Sequence, residues 1–321
     1  MDSKLLSFTC LLVFICCINL TRSVDGSPIA KKPLPTMVIW HAAGGGSSAE
    51  LTEDTVTSLK KYNAKIKKIQ IGEGEEEELD IALHMQMEKQ VMNACRQLTN
   101  DPELKNGFAL IGLSLGGTAV RALPQMCPEL NITDVISMCG PQQGIFGIPS
   151  CESIEGIFTD ICDKLNDVRE AAASISPEFD TPSIFTPVMN AVKDNYTLIS
   201  LWVDPTASPP PADNFMNLIN NRLETKFPKE NLLKIQRLIA VWCSKDTIMK
   251  PKTSPMFGYF KDGSITEVLP FNETDLYTED YIGLKELDEQ GRYFPVECPY
   301  EHMKYPGEWF EKNIIERFYD V

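Results

Sequence analysis

A serine between two glycines, at the point where a strand gives way to a helix, has the setting of an activated nucleophile. Gly112-Leu113-Ser114-Leu115-Gly116 has that form, with the apolar run Phe108 to Leu113 before it and a helix-like stretch from Gly116 to Met126 after it, ended by Pro128. The sharp turn exposes the hydroxyl, the glycines leave room for crowded backbone, and the helix N-terminus offers the Leu115 amide to a developing oxyanion. The serine needs a base, and the chain has only 3 histidines. His41 ends an apolar run and reads as structural; His84 lies inside a predicted helix, Ile81 to Leu98, ahead of the nucleophile. His302 follows the serine, in a loop just before the last amphipathic stretch, and is the expected general base. The acid that orients it should lie between the two, just past a strand. Asp246, after Leu238 to Trp242, is favoured over Asp204, which follows the apolar Leu198 to Val203 but falls in an irregular region.

The elements that must position these groups alternate. Thr36 to Trp40, Lys65 to Ile71, Phe108 to Leu113, Val135 to Met138 and Leu238 to Trp242 read as strands. Helical patterns run over Glu50 to Tyr62, Ile81 to Leu98, Gly116 to Met126 and Gly307 to Phe318. That rhythm predicts an α/β architecture, a mostly parallel sheet covered on both faces, in the manner of the α/β-hydrolase fold. The rhythm breaks over about residues 144–236, which include Pro209-Pro210-Pro211 and read as a helical insertion near the carboxyl edge of the sheet within a single domain, 24–321. The acidic run Glu75 to Glu78 reads as a solvated loop ahead of the next helix. Ile248 and Met249, just beyond the acid, are candidate groove liners, as is Gln142.

The N-terminus has the form of a secretory signal: Lys4, the apolar Leu5 to Leu20, then Thr21-Arg22-Ser23, giving a segment 1–23. Sequons begin at Asn131, Asn195 and Asn272, as in a glycosylated product of that pathway. The formal net charge of −15 argues against a nucleic-acid partner, and no later apolar stretch is long enough for a membrane span. Of 10 cysteines, Cys10, Cys16 and Cys17 lie in the signal. Cys95, Cys127, Cys139, Cys151, Cys162, Cys243 and Cys298 remain; their odd number leaves at least one thiol free, and none shows the C-x-x-C spacing of a zinc site. No metal or other cofactor is expected. A rival signal is Gly44-Gly45-Gly46-Ser47-Ser48-Ala49, a dinucleotide-type fingerprint with Glu73 as the acidic ribose partner, although it leaves Ser114 unexplained.

Several longer segments resemble the palmitoyl-protein thioesterase family. They are Val38-Ile39-Trp40-His41, Gly112 to Gly117, Gly140-Pro141-Gln142-Gln143-Gly144-Ile145-Phe146-Gly147-Ile148-Pro149, Asp246-Thr247-Ile248, Leu276 to Asp280 and Gly283-Leu284-Lys285-Glu286-Leu287-Asp288. The resemblance runs from about Pro33 to the C-terminus and implies a lysosomal enzyme that strips fatty acyl groups from cysteines of lipidated proteins. It implies a triad of Ser114, Asp246 and His302, oxyanion amides at Ala43 and Leu115, and disulfides Cys95–Cys127 and Cys151–Cys162; it leaves Cys139, Cys243 and Cys298 unassigned. Three features depart from the family: Leu115 stands where the family has Gln, a vicinal cysteine pair is replaced near Gly46-Ser47, and the loop before the base reads Glu297-Cys298-Pro299-Tyr300-Glu301-His302. Alternatives are a lipase or general carboxylesterase acting on oxygen esters, and an inactive lipid-binding relative of the same fold.

Overall fold

The computed structural model describes residues 33–42, 45–146, 197–208, 210, 214–224 and 226–321. The signal segment, Ala43, Cys151, Cys162, Asn195 and much of the expected insertion lie outside the described residues.

The apolar runs become strands β1 (Thr36–Trp40), β2 (Ile66–Lys68), β3 (Phe108–Leu113), β4 (Ile132–Met138) and β5 (Arg237–Cys243). A two-stranded hairpin, β6 (Tyr259–Phe260) with β7 (Val268–Leu269), stands apart, and β8 (Tyr293–Cys298) completes the main sheet. That sheet has the order β2-β1-β3-β4-β5-β8 with every neighbouring pair parallel. Every residue of β3 is buried, as a continuous apolar run at the middle of a doubly covered sheet requires.

Alternation along the strands feeds two cores. Val38, Trp40 and Leu110 face a core shared with α3 (Met87–Thr99) and α4 (Leu115–Met126). Met37, Ile39 and Ile111 face a second core, which α1 (Glu50–Lys60) and the C-terminal helical run from Gly307 to Phe318 close over. The carboxyl ends of the strands therefore open between two helical layers, where ligands of open α/β sheets are held.

Two expectations are corrected. The acidic run is not a loop: Glu75–His84 form helix α2, with Glu75 to Glu78 in its first turn, where the helix dipole favours carboxylates. The single helix expected over Ile81 to Leu98 is two helices, α2 and α3, separated by extended backbone at Met85 and Gln86. No glycine or proline marks this corner. The carbonyls of Ile81 and Met85 accept hydrogen bonds from the Gln90 amide at 2.9 and 2.8 Å, and the Thr197 hydroxyl also donates to Met85, so side chains satisfy the helix end.

Candidate active site

Ser114 lies between β3 and α4 with φ 51° and ψ −117°, a left-handed conformation that a non-glycine residue keeps only where its surroundings enforce it. Its amide donates to the Met138 carbonyl at 2.8 Å, and its own carbonyl accepts from Gly117 at 2.7 Å. The flanking glycines are required by close approach. A Cβ on Gly112 would lie 2.1 Å from the Gly116 carbonyl oxygen, and one on Gly116 would lie 2.5 Å from the carbonyl oxygens of Trp40 and His41. Leu115 is the first residue of α4, so its amide is one of those the helix itself leaves unsatisfied.

Two loops bring in the partners. The Ser114 hydroxyl is 2.8 Å from His302 Nε2, and His302 Nδ1 is 2.6 Å from Asp246 Oδ2. The loops after β5 and β8 are joined by main-chain bonds, Ser244 to Cys298 at 2.8 Å and Lys245 to Tyr300 at 3.2 Å. Asp246 Oδ1 accepts from the amides of Ile248 and Met249 at 2.8 and 2.9 Å. Burial alone would raise the Asp246 pKa; the hydrogen bond and charge of His302, with the two amides, outweigh it and hold the carboxyl below its ordinary value. An ionised Asp246 keeps the proton on Nδ1 and leaves Nε2 free to accept one from serine.

The other expected residues fall in varied places. Ile248 and Met249 serve the acid through their backbone, while their side chains pack into or against the core shared with α3 and α4. Gln142 does not present a polar group to a groove. It is fully buried, its Nε2 donates to Ser137 Oγ at 2.8 Å and to the Gly140 carbonyl at 2.9 Å, and its Oε1 accepts from Arg121 at 2.9 Å. Asp204 accepts from the amide and hydroxyl of Thr206 within its own turn. His84 is half exposed at the end of α2, 2.9 Å from Asp80. Asn131 and Asn272 are exposed.

The glycine-rich loop after β1 is a poor dinucleotide cradle. A Cβ on Gly46 would lie 2.9 Å from Glu78 Oε2, which also accepts from the Ser47 hydroxyl at 3.0 Å, so a carboxylate stands where a pyrophosphate would have to come. Glu73, expected to end the second strand, lies beyond it, since β2 stops at Lys68.

Three features escaped sequence reasoning. Glu78 is buried, with Oε1 3.4 Å from Nε2 of the equally buried His41, and so ties the loop after β1 to α2. Desolvation holds the His41 pKa below its ordinary value, against the opposing effects of its bond to the Ala42 carbonyl and of Glu78. Arg121, on α4, is fully buried and uses five donor contacts on Gln142, Gln125, Ile219 and Asn220 to brace the loop after β4; burial lowers its pKa to about 9. As the only charged residue of α4, Arg121 was itself the available signal. The third is a disulfide: Cys139, at the end of β4, is bonded to Cys243, at the end of β5, while Cys95 is bonded to Cys127, the pair that the resemblance implies. Cys298 is a buried free thiol whose pKa burial pushes up to about 11.

A parallel sheet of this order, with a strained serine between β3 and the following helix and a histidine after the last strand, defines an α/β-hydrolase. The family model for palmitoyl protein thioesterases matches residues 36–302, and the chain belongs to that family. It is 31% identical to palmitoyl-protein thioesterase 1 of Caenorhabditis elegans over 301 residues, 90% of this chain and 93% of the relative. It is 30% identical to palmitoyl-protein thioesterase 3 of Dictyostelium discoideum over 236 residues, 72% and 74% of the two chains. Among solved structures, an extracellular α/β-hydrolase from a Paenibacillus species overlaps 88% of this chain and 98% of its own, with a TM-score of 0.43 at 13% identity.

Proposed function

We propose that this chain is a serine thioesterase that releases long-chain fatty acyl groups from cysteines of lipidated proteins or peptides. The observation that carries the reading is the continuous line from Ser114 through His302 to Asp246, at 2.8 and 2.6 Å, in a chain of the palmitoyl protein thioesterase family.

In this mechanism His302 Nε2 takes the Ser114 proton as Oγ attacks the thioester carbonyl. Asp246 stabilises the imidazolium, and the Leu115 amide, with Ala43 as the second donor, holds the oxyanion. Collapse expels the cysteine sulfur, which takes the proton from His302. Water, deprotonated by the same imidazole, then releases the fatty acid from Ser114. The acyl chain is assigned to the side of the acid loop facing the expected insertion. There Phe146 and Trp202 have ring centroids 5.1 Å apart and Phe146 and Phe260 5.9 Å apart, and the Phe146 amide donates to Lys250. Residence in the lysosome, reached through the secretory pathway, fits the signal-like N-terminus and a fly relative named lysosomal thioesterase PPT2 homolog.

The test is hydrolysis of an S-palmitoyl cysteine peptide, with fluorophosphonate labelling, by the wild type and by Ser114→Ala. The substitution should lower kcat by roughly 10⁵–10⁶-fold and abolish labelling. Unchanged turnover and labelling would remove Ser114 from the mechanism. Comparing a palmitoyl thioester with its matched oxygen ester separates this reading from a general carboxylesterase.

A further inference from the structure

We infer that a cavity on the far side of the sheet from the acyl chain receives the protein part of the substrate, and that it favours a Lys or Arg near the acylated cysteine. This rests on the thioesterase reading and adds to it the chemistry of the leaving group.

The cavity has a volume of about 570 Å³ and lies between α1 and the segment that follows His302. Leu51, Met303 and Phe310 form its apolar part, and Glu50 and Asp54 line it with carboxylates. Neither acid has a basic partner among the described residues, whereas Glu53 on the same helix is paired with Lys68. Lys304, also at the cavity, is engaged with Glu301 at 2.9 Å. Glu50 is in the first turn of α1, where the helix dipole already favours an acid; Asp54, a turn further on, has no such reason to be there. Tyr305 is another residue of the wall.

The position follows from the chemistry. The sulfur that leaves must reach His302 Nε2 to be protonated, so the peptide carrying it lies on the histidine side of the scissile carbonyl, away from the acyl chain. The chain turns immediately after His302, at Met303 with φ 58°, and becomes the cavity wall. Apolar walls with carboxylates suit the aliphatic stem and cationic head of Lys or Arg.

The experiment compares two S-palmitoyl peptides that differ only in a Lys or a Glu two residues from the cysteine. The wild type should favour the Lys peptide by about 5–20-fold in kcat/KM, carried by KM and reduced by salt. In the Glu50→Gln/Asp54→Asn variant that ratio should fall to near one; being a ratio within one protein, it does not depend on the amount folded. A wild-type ratio near one, a preference carried by kcat alone, or a ratio retained in the variant overturns the inference. Hydrolysis by the wild type of a palmitoyl thioester that has no peptide shows that the thioesterase reading stands when the cavity inference fails.

Discussion

Ser114 and His302 sit 2.8 Å apart and are held in opposite ways. The serine is placed by backbone. It caps a fully buried central strand, its φ is positive, its amide and carbonyl are both bonded, and glycines on either side admit no Cβ. The histidine is placed by side chains and loop contacts. It follows β8, an edge strand only half of whose residues are buried, and its ring is aimed by the Asp246 carboxylate. The difference teaches how the work is divided. A nucleophile that must meet a carbonyl at one angle is set by the fold, while a base that moves protons in two steps is set by the carboxylate beside its Nδ1.

The sharpest way to break that comparison is Gly140→Ala, in the loop after β4. Its Cβ would meet the Ser114 carbonyl oxygen at 2.5 Å and the Gly117 Cα at 2.7 Å, both backbone atoms that cannot rotate away. We expect a stability loss of about 3 kcal/mol or more in thermal melts, with fluorophosphonate labelling lost. A variant that melts and labels like the wild type would show that backbone does not hold the serine. Asp246→Asn tests the other half. It should keep a cooperative melt while kcat falls by about 10⁴-fold, because the imidazole loses its orienting acceptor. Its pH signature has a definite sign. The folded pKa of Asp246 lies below its ordinary value, so the stability it adds is fully present above about pH 4 and is lost as pH falls through the folded value. The stability gap between wild type and Asp246→Asn should therefore be flat above about pH 4 and close below it, as read by denaturant titrations across that range.

The same contrast explains what could be read from the sequence. Ser114 was legible because its signal is local: an apolar run, a pentapeptide and a helix pattern in unbroken order. His302 was legible by scarcity, and Asp246 because it follows a strand. The parallel sheet followed from the alternation of apolar runs with helical stretches. The corner between α2 and α3 was not legible, because it depends on Gln90 and Thr197, the second of which arrives from a distant part of the chain. The burial of Arg121 and Glu78 was hidden for the same reason, since their charges are legible and their partners are not. The Cys139–Cys243 bond joins the ends of adjacent strands 104 residues apart, a neighbourhood that sheet order creates and sequence spacing does not.

That disulfide links the two halves of the comparison. Cys139 precedes Gly140, which packs against Ser114, and Cys243 ends the strand that leads to Asp246. Replacing both with serine should lower stability by about 3–5 kcal/mol from the lost constraint on a long loop of the unfolded chain. At 25 °C kcat should stay within about threefold of wild type, because β4 and β5 remain paired along their length. A large fall in kcat with a small fall in stability would mean that the bond, and not the sheet, sets the distance between serine and acid.

The smallest effect should come from Glu78→Gln. The carboxylate is buried between α2 and the loop after β1, accepting from Ser47 on one oxygen and facing His41 with the other, which has no hydrogen bond. Glutamine keeps an acceptor for Ser47 and nearly the same volume, so the melt should change little, while the charge opposite His41 is lost. Because that loop carries Ala43, the proposed second oxyanion donor, a small displacement would weaken transition-state stabilisation more than substrate binding. A fall of about tenfold in kcat with KM unchanged is expected, less than the loss of a whole oxyanion donor. A rise in KM with kcat intact would assign Glu78 to the binding surface, and would leave the nucleophile side of the site held by backbone alone.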